Sequence, residues 1–364
     1  MKKSFTHFIR LNASTSEVSV PIYFNKGITS DIHSILKLKS YSRIAVLTDT
    51  NVYHHWNGLF KRIFGKNDVL ITIPAGEEHK NLATVQNIWA TLLKQKFDRK
   101  SVLINMGGGV VCDTGAFAAS TYMRGIDFVQ VPTTVLAMTD AAIGGKTGVN
   151  FGDLKNTIGT FAQPKAILND SNFLYTLPKR EYLSGFAEII KHALVADKKF
   201  FKELSEMDIS KMGNNDLMDI LYTSCGIKCD VVSADVNEKD KRKILNFGHT
   251  VGHAIEMSSH EAGKPLLHGE AVAIGMIAEA TLSLLAGLIS VKEFSAIEKI
   301  ITKAKLPTKA DKKLKNHILN KILFDKKNER QKVKWVLLKD IGHAVIDKEQ
   351  PQTLIRQAID YVLA

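Results

Sequence analysis

The sequence predicts an N-terminal α/β domain built on a parallel sheet, followed by a helical C-terminal domain. Four apolar segments of the first half have the length of strands, namely 43–48, 68–73, 101–106 and 127–131. Segments of helix length separate them, near 51–64, 81–97 and 110–121. Strands that alternate with helices are typical of βαβ units with right-handed crossovers, and such units place their strands parallel.

The pattern changes near Leu177. Long segments with a period of 3.6 residues follow, near 179–195, 215–233, 246–258, 268–287 and 292–304. Strand signals are few before 334–338, so this half is predicted to be helical. We therefore predict two domains, at 1–179 and 180–364.

The composition is that of an ordinary globular protein. The chain has 364 residues, of which 45% are hydrophobic and 24% are charged. No apolar run approaches the roughly 20 residues that a membrane span needs. Lys2 and Lys3 are not followed by an apolar segment, so no signal peptide is predicted. Three cysteines in so long a chain predict reduced thiols and a cytoplasmic location.

The formal charge of +12 allows two interpretations. A basic surface can bind nucleic acid, but the chain contains no nucleic-acid-binding motif. Many lysines, such as those between Lys312 and Lys321, alternate with apolar positions and indicate a solvated helix face. We therefore expect a small anionic substrate, and neither a nucleic-acid nor a membrane partner.

A glycine-rich turn connects the predicted strand at 101–106 to the next helix. Gly107, Gly108 and Gly109 follow the strand directly, and Asp113 comes one helical turn later. Glycines let backbone amides approach a pyrophosphate, and a helix N-terminus favours its charge. The spacing differs from Gly-x-Gly-x-x-Gly, and a turn that needs glycine only for its shape is the alternative.

Polar residues also follow the other predicted strands. Asp49 and Asn51 come after the first strand, and Glu77 and Lys80 come after the second. Open α/β sheets bind ligands at the carboxyl ends of their strands, so these four residues are candidates for a ligand site. Taken alone, either pair is explained more simply by an ordinary loop than by a ligand site.

Several polar and charged residues follow the predicted strand at 127–131. In chain order they are Thr133, Thr134, Asp140, Lys146, Lys155 and Asn156. The segment around Lys146 resembles the end of a P-loop, but Asp140 stands where the leading glycine would be, so that motif is not assigned. A lysine presented by glycines is still a good phosphate ligand, and an ordinary loop is the alternative.

Histidines and carboxylates in the second half predict a metal site. The candidates are Glu188, His249, His253, His268 and Glu270. His249 and His253 are four residues apart on a predicted helix, so both imidazoles project from one face. One carboxylate and two imidazoles are a common ligand set for a catalytic zinc. The spacing does not decide which three of the five bind the metal.

Two basic residues precede this cluster. Arg242 and Lys243 lie about two helical turns before His249, and they are candidates for binding a substrate carboxylate.

Several longer motifs together resemble the 3-dehydroquinate synthase family. They are Gly-Gly-Gly-Val-x-x-Asp, Tyr-Met-Arg-Gly, Pro-Thr-Thr-x-Leu-Ala, Gly-Gly-Lys-Thr-Gly, Glu-x-x-Lys, Leu-Asn-Phe-Gly-His-Thr-x-Gly-His and His-Gly-Glu-Ala-Val. The resemblance runs from about Asp49 to Lys327. It implies an NAD-binding α/β domain and an all-α domain that binds metal and substrate, as in a dehydroquinate synthase.

The resemblance also implies roles for individual residues. Glu188, His249 and His268 would hold zinc or cobalt. The substrate phosphate would contact Arg124, Lys146, Asn156, Asn246, His253 and one of Lys326 and Lys327. Arg124 would reach across the interface of a homodimer. Lys228 and Arg242 would bind the substrate carboxylate, and Asp140, Lys155 and Lys191 would contact hydroxyls.

Most of the remaining matches concern NAD. The implied cofactor-binding positions are Asp49, Asn51, Glu77, Lys80, Gly108, Gly109, Asp113, Thr133, Thr134, Lys146, Lys155 and Thr176. In the glycine-rich turn that begins at Gly107, Cys112 replaces a glycine that is usual in the family. Its side chain is expected either to crowd the turn or to fill a gap.

The implied reaction converts 3-deoxy-D-arabino-heptulosonate 7-phosphate, a phosphorylated sugar acid, into 3-dehydroquinate and phosphate. A cyclase that acts on another heptulose or hexose phosphate is the nearest alternative, but such substrates lack the carboxylate that Lys228 and Arg242 would bind. A metal-dependent polyol dehydrogenase is the second alternative.

Overall fold

The computed structural model describes residues 7–12, 19–152, 154–209, 212–328, 334–346 and 349–364. The chain divides into two compact units. The first comprises residues 1–178 and 228–237, and the second comprises residues 179–227 and 238–364. Within the described residues, no helix is both long enough and apolar enough to span a membrane.

The first unit is built on a central sheet. Its strands are β1 (His7–Asn12), β2 (Ser19–Phe24), β3 (Ile44–Asp49), β4 (Val69–Ile73), β5 (Val102–Gly107) and β6 (Asp127–Pro132), and, after the hairpin of β7 (Lys146–Phe151) and β8 (Leu154–Phe161), β9 (Ile167–Asn169). Among the described residues the order across the sheet is β1-β2-β9-β6-β5-β3-β4. All neighbours in it pair parallel except β1 and β2.

Helices cover this sheet on both faces. They are α1 (Ile32–Ile35), α2 (Thr50–Ile63), α3 (Leu82–Lys94) and α4 (Gly109–Thr121). Consecutive side chains of a strand point to opposite faces, so Leu47 packs in a cluster with Val85 of α3, while Val46 packs with Phe60 of α2. Burial on both faces explains why these strands are continuous apolar runs in the sequence.

The four strands predicted in this unit are found within one residue of their expected positions, because each is an apolar run of five or six residues. The strand signal at 334–338 is found two residues later, at Val336–Asp340. The sequence interpretation missed β1, β2, β9 and the hairpin of β7 and β8. The strand β9 has only three residues, and the hairpin exposes apolar side chains such as Phe151 and Leu154. Neither has the uniform apolar run that identified the central strands.

The second unit is mainly helical. Its elements are α5 (Lys179–Ala196), α6 (Lys198–Glu206), α7 (Asn214–Ala234, which continues into the first unit), α8 (His249–Glu261), α9 (His268–Leu285), α10 (Val291–Lys303), α11 (Lys315–Asn328) and α12 (Gln352–Tyr361), with an antiparallel hairpin of β10 (Val336–Asp340) and β11 (His343–Ile346). The central helix is α9, which packs against α5, α8, α10 and α12 and is buried on nearly all sides. The predicted fold class, an α/β domain with a parallel sheet followed by a helical domain, is confirmed.

The start of α8 differs from the prediction. The predicted helix began at residue 246, but residues 241–246 form a 3₁₀ helix and α8 begins at His249. Gly248 separates them with φ of 81°, a left-handed conformation that ends one helix and redirects the chain. Arg242 and Lys243 therefore do not lie on the helix of His249, and the prediction of two intervening helical turns was wrong.

Candidate active site

Both histidines of the implied metal site are the first residues of helices. His249 begins α8 and His268 begins α9, while Glu188 lies in the middle of α5. The positive end of a helix dipole disfavours a charged imidazole and favours a nearby anion. Two neutral imidazoles beside a carboxylate are the form in which these groups bind a metal.

These three side chains converge in the second unit. The Nε2 atoms of His249 and His268 lie 3.6 Å and 3.7 Å from Oε1 of Glu188. The three ligand atoms all lie within 4.8 Å of one another. Metal–ligand bonds of about 2.0–2.1 Å in a tetrahedron would separate the ligand atoms by about 3.4 Å. The arrangement therefore has the dimensions of a zinc site.

The state of Glu188 supports the same conclusion. Its side chain is fully buried, and among the described residues neither carboxylate oxygen has a well-formed hydrogen bond. Lys191, also buried, forms an ion pair with Oε2. A buried carboxylate oxygen that faces two imidazole nitrogens is stabilised by a cation between them. The residues present thus fit a divalent metal ion.

The charges of the site act in opposite directions on the two histidines. Burial, together with the ammonium of Lys191, holds the pKa of His249 well below its usual value. Burial would also lower the pKa of His268, but the carboxylates of Glu188 and Glu256 together outweigh it and raise that pKa to about 10. The pKa of Glu188 lies well below its usual value, because Lys191 and the two histidines outweigh its burial.

The second nitrogen of each ring is held by a protein acceptor. Nδ1 of His268 lies 3.2 Å from Oε2 of Glu256, and Nδ1 of His249 lies 3.3 Å from the carbonyl oxygen of Phe247. Such bonds fix the ring orientation and leave Nε2 for the metal. The sequence interpretation gave no role to Glu256. Its position two helical turns after His249, on the same face of α8, was the signal that could have identified it.

The other two candidates of the cluster have different surroundings. Glu270 accepts two hydrogen bonds from Arg180, of 2.7 Å and 2.6 Å, and its Oε2 also caps the start of α9. The exposed His253 lies beside the ligand rings, with centroids 5.1 Å from that of His249 and 5.8 Å from that of His268. Geometry therefore favours Glu188 over Glu270 and leaves His253 at the edge of the site.

Close packing of α8 against α9 brings the two histidines together. A Cβ atom on Gly275 would lie 2.0 Å from the carbonyl oxygen of Gly248, so the helices cross with backbone in contact at this point. Any side chain at Gly275 would push the start of α8 away from α9.

The glycine-rich turn of the first unit has the predicted form. The strand β5 ends at Gly107, Gly108 is the N-cap, and α4 begins at Gly109. The first amides of a helix have no acceptor within the helix, so they can bind an anion. The side chain of Cys112 is buried, with its sulfur 3.7 Å from the carbonyl oxygen of Gly107, and α4 is continuous around it. The helix therefore accommodates Cys112 without interruption.

A hydrogen-bond network joins several implied NAD residues in the first unit. The buried Nζ of Lys80 lies 2.5 Å from Oδ2 of Asp113 and 2.5 Å from Oδ1 of Asn156. Asn150 donates to Glu77 and accepts from the backbone amide of Asn156. Burial raises the pKa of Asp113, and the ammonium of Lys80 acts against this rise. The sequence interpretation missed Asn150, which carries no motif of its own.

A second pair in this unit joins residues with different implied roles. Lys228 donates to Oδ1 and to the backbone carbonyl of Asp140, each at 2.5 Å. Asp140 lies in a π-helical turn, Ala137–Ala141, and such turns occur frequently at functional sites. The structure thus places Asp140, which the resemblance assigns to a substrate hydroxyl, next to Lys228, which it assigns to the substrate carboxylate.

Several implied NAD residues have structural partners. Asp49 caps α2 by accepting from the amides of Asn51 and Val52. Thr176 accepts from the indole of Trp56, and Thr134 accepts from the amide of Ala137. The amide of Thr133 donates to the carbonyl oxygen of Gly107, which places Thr133 beside the glycine-rich turn. Asp49 ends β3, and Thr133 and Thr134 directly follow β6, so these three residues lie at the carboxyl ends of parallel strands.

The remaining implied substrate residues differ in exposure. Arg124, Lys146 and Asn156 are exposed, Lys155 is half-buried, and Arg242 is buried. Arg124 and Asn156 have positive φ angles of 66° and 56°, which are uncommon outside glycine and occur often at functional sites.

Two more implied phosphate ligands lie in the second unit. Asn246 donates from Nδ2 to Oε1 of Glu238 at 2.8 Å. The side chains of Lys326 and Lys327 lie outside the described residues.

Comparison with known proteins decides the family. The profile described as 3-dehydroquinate synthase N-terminal matches residues 70–184, and the profile described as 3-dehydroquinate synthase C-terminal matches residues 185–328. The chain belongs to the 3-dehydroquinate synthase family. A 3-dehydroquinate synthase from Acetivibrio thermocellus is 38% identical over 358 residues, which cover 96% of this chain and 98% of that protein. The resemblance drawn from the motifs is confirmed.

Solved structures extend the comparison beyond 3-dehydroquinate synthases. A 2-epi-5-epi-valiolone synthase from Streptomyces hygroscopicus, with NAD⁺ and Zn²⁺ bound, superposes with a TM-score of 0.86 at 27% identity, covering 95% of this chain and 97% of that chain. A 2-deoxy-scyllo-inosose synthase complexed with carbaglucose-6-phosphate, NAD⁺ and Co²⁺ gives 0.85 at 25% identity, covering 98% and 100%. The 3-dehydroquinate synthase family thus shares its fold with cyclases whose solved structures hold a nucleotide and a divalent metal.

Proposed function

We propose that the chain converts 3-deoxy-D-arabino-heptulosonate 7-phosphate into 3-dehydroquinate and inorganic phosphate, with NAD and a divalent metal as cofactors. The observation that carries this proposal is the convergence of Glu188, His249 and His268 in a chain of this family. Bound metal supplies Lewis-acid polarisation of a substrate hydroxyl, and bound NAD supplies a hydride acceptor that is restored before product release.

The chain's own residues are assigned to binding and charge stabilisation. Glu188, His249 and His268 hold the metal as zinc or cobalt. Lys191 is buried beside Glu188, and we assign it to a substrate hydroxyl. His253 is exposed beside the ligand rings, so its ring nitrogen is placed to exchange a proton with substrate.

Loss of phosphate creates charge that the protein has to stabilise. The carbon–oxygen bond to phosphate breaks as the adjacent carbon loses its proton, and preorganised donors lower the barrier to this step. We assign the departing phosphate to Arg124, Lys146, Asn156, Asn246, His253 and one of Lys326 and Lys327. The substrate carboxylate is assigned to Lys228 and Arg242, and its hydroxyls to Asp140 and Lys155.

The nucleotide is assigned to the carboxyl ends of the strands in the first unit. The amides at the start of α4 would bind the pyrophosphate, with Gly108 and Gly109 allowing close approach. The linked network of Lys80, Asp113 and Glu77 adds polar groups at the same edge.

Three further assignments complete the proposal. We place the protein in the cytoplasm as a homodimer, in which Arg124 serves the site of the partner subunit. Its exposed side chain and its positive φ angle of 66° support that role. We also keep the domain boundary between residues 179 and 180, at the first residues of α5.

Release of inorganic phosphate from the heptulosonate phosphate tests the function. We expect release that needs catalytic NAD and that stops after treatment with a chelator. Sedoheptulose 7-phosphate and glucose 6-phosphate, which lack the carboxylate, serve as matched substrates. Turnover of either in place of the heptulosonate would show another cyclase, and stoichiometric NADH without phosphate would show a dehydrogenase.

A further inference from the structure

A buried carboxyl group joins α9 to the start of the helix that carries His249. Glu279 lies in α9, and its side chain is completely buried. Its Oε2 accepts from the amide of Gly248 at 2.7 Å. Its Oε1 accepts from the amides of Thr250 and Val251, at 3.1 Å and 3.3 Å. The three amides flank His249 on both sides along the chain.

These amides have no acceptors within their own helix. The first N–H groups of an α-helix are usually satisfied by an N-cap side chain. Here the N-cap is Gly248, which has no side chain. Glu279 supplies the missing acceptors from a different helix, so the cap of α8 is also a connection to α9.

That connection relates the two metal histidines to each other. His268 is the first residue of α9, and Glu279 lies three helical turns further along the same helix. Because Glu279 holds the backbone on either side of His249, it determines the position of His249, and so of the start of α8, relative to α9. A shift of the start of α8 along α9 would break these buried bonds.

Both protonation states of Glu279 can make these contacts. Burial raises its pKa to about 8, while the three amide hydrogen bonds act against this rise. A carboxyl group offers two accepting oxygens with or without its proton. The contacts therefore depend on two accepting oxygen atoms. A glutamine side chain of the same shape has only one such oxygen, so at least one of the three hydrogen bonds would be lost.

We propose that Glu279 is a positioning residue of the metal site, which sets the position of His249 by capping α8 from α9. This inference rests on the proposed function, because it takes Glu188, His249 and His268 as the metal ligands. It adds a residue that is not one of the three proposed ligands and acts through the backbone beside one of them. Removing groups that orient metal ligands typically costs 10–100-fold in metal affinity.

The test is Glu279→Gln, which keeps the volume but replaces one accepting oxygen with an NH2 group that cannot accept from a backbone amide. Zinc affinity is measured by competition with a chromophoric chelator, and the visible spectrum of the Co²⁺-loaded protein reports the ligand geometry. We expect zinc affinity at least about tenfold below that of the wild type, with a changed Co²⁺ spectrum.

Ser283→Ala is the matched control. Ser283 lies one turn further along α9, where its hydroxyl donates to the backbone carbonyl of Glu279 and accepts from the buried amide of Leu338. Its loss should destabilise the helix but leaves the Glu279 carboxyl and its three amide donors in the sequence. We expect this variant to bind zinc as the wild type does, even where its melting temperature falls as far as that of Glu279→Gln. Equal zinc affinity and an equal Co²⁺ spectrum in Glu279→Gln and the wild type would overturn the proposal.

Two measurements separate this proposal from the proposed function. His249→Ala tests the metal site itself, and a wild-type chain that binds no zinc would remove both proposals together. Hydrogen exchange of the wild type needs no folded variant. We expect the amides of Gly248, Thr250 and Val251 to be protected in the metal-free protein, and rapid exchange there would contradict the capping role.

Discussion

Metal binding should release one proton from His268. Its pKa is raised to about 10, because the carboxylates of Glu188 and Glu256 outweigh the opposing effect of burial. We therefore expect Nε2, which faces Glu188, to carry a proton in the metal-free protein at neutral pH. A metal ion needs that nitrogen unprotonated, so it has to displace the proton. His249 has a lowered pKa and contributes no second proton.

The size of the effect follows from this one proton. Between pH 7 and pH 9 the apparent zinc affinity should rise about tenfold for each pH unit, or about 1.4 kcal/mol. Stability of the metal-free protein should change in the opposite direction. A raised pKa stabilises the fold fully below about pH 6.5, and this contribution is lost as the pH rises through about 10.

Calorimetric titration with zinc in buffers of different ionisation enthalpy counts the released protons directly. The slope of observed enthalpy against buffer enthalpy should correspond to about one proton at pH 7. In Glu256→Gln the pKa of His268 should fall, so the pH dependence of the affinity should level off at a lower pH. An affinity that stays constant from pH 7 to pH 9, with no proton released, would refute the reasoning.

Three further substitutions test the assignments. Glu188→Gln should abolish stoichiometric zinc binding and lower the urea stability of the metal-free protein by about 3 kcal/mol, since it leaves Lys191 buried without its counter-charge; unchanged zinc content by atomic absorption would exclude Glu188 as a ligand. Lys80→Met removes hydrogen bonds to Asp113 and Asn156 and should weaken NAD binding about tenfold in a fluorescence titration, with zinc content unchanged. Arg242→Ala should raise KM for the heptulosonate phosphate by about tenfold or more, and a KM equal to that of the wild type would argue for a substrate without a carboxylate.

The sequence predicted the parts of the fold in which burial leaves a simple pattern, namely the apolar runs of the central strands. The strands β3, β5 and β6 are buried on both faces, so they appear as unbroken apolar runs flanked by turns. The edge strand β4 is buried on one face only, but its sequence is still an apolar run. The exposed hairpin of β7 and β8 has no such pattern. The start of α8 was misplaced because a left-handed Gly248 and an acceptor 31 residues away determine it.

In the candidate site, too, some residues could be identified from the sequence and others only from the packing of the helices. Sequence spacing indicated His249, His253 and His268, because these histidines are close together in the sequence and two of them are four residues apart on one predicted helix. It did not identify Glu256 as the partner of His268, or Glu279 as the cap of α8. Both are buried carboxyl groups whose partners lie on another helix or on backbone amides, and such pairings depend on how helices cross.

The three proposed metal ligands come from three helices, and this has a consequence for biosynthesis. Glu188 and His268 lie 80 residues apart, so an ion that ties them closes a long loop. Closing a flexible loop of that length costs about 4 kcal/mol of chain entropy. Once α9 has formed and packed against α5, the loop is already closed, so the ion does not have to offset this cost. A ribosome must therefore release most of the chain before the nascent polypeptide can capture its ion, and cells starved of that ion should accumulate a folded, inactive pool that is rescued without new synthesis.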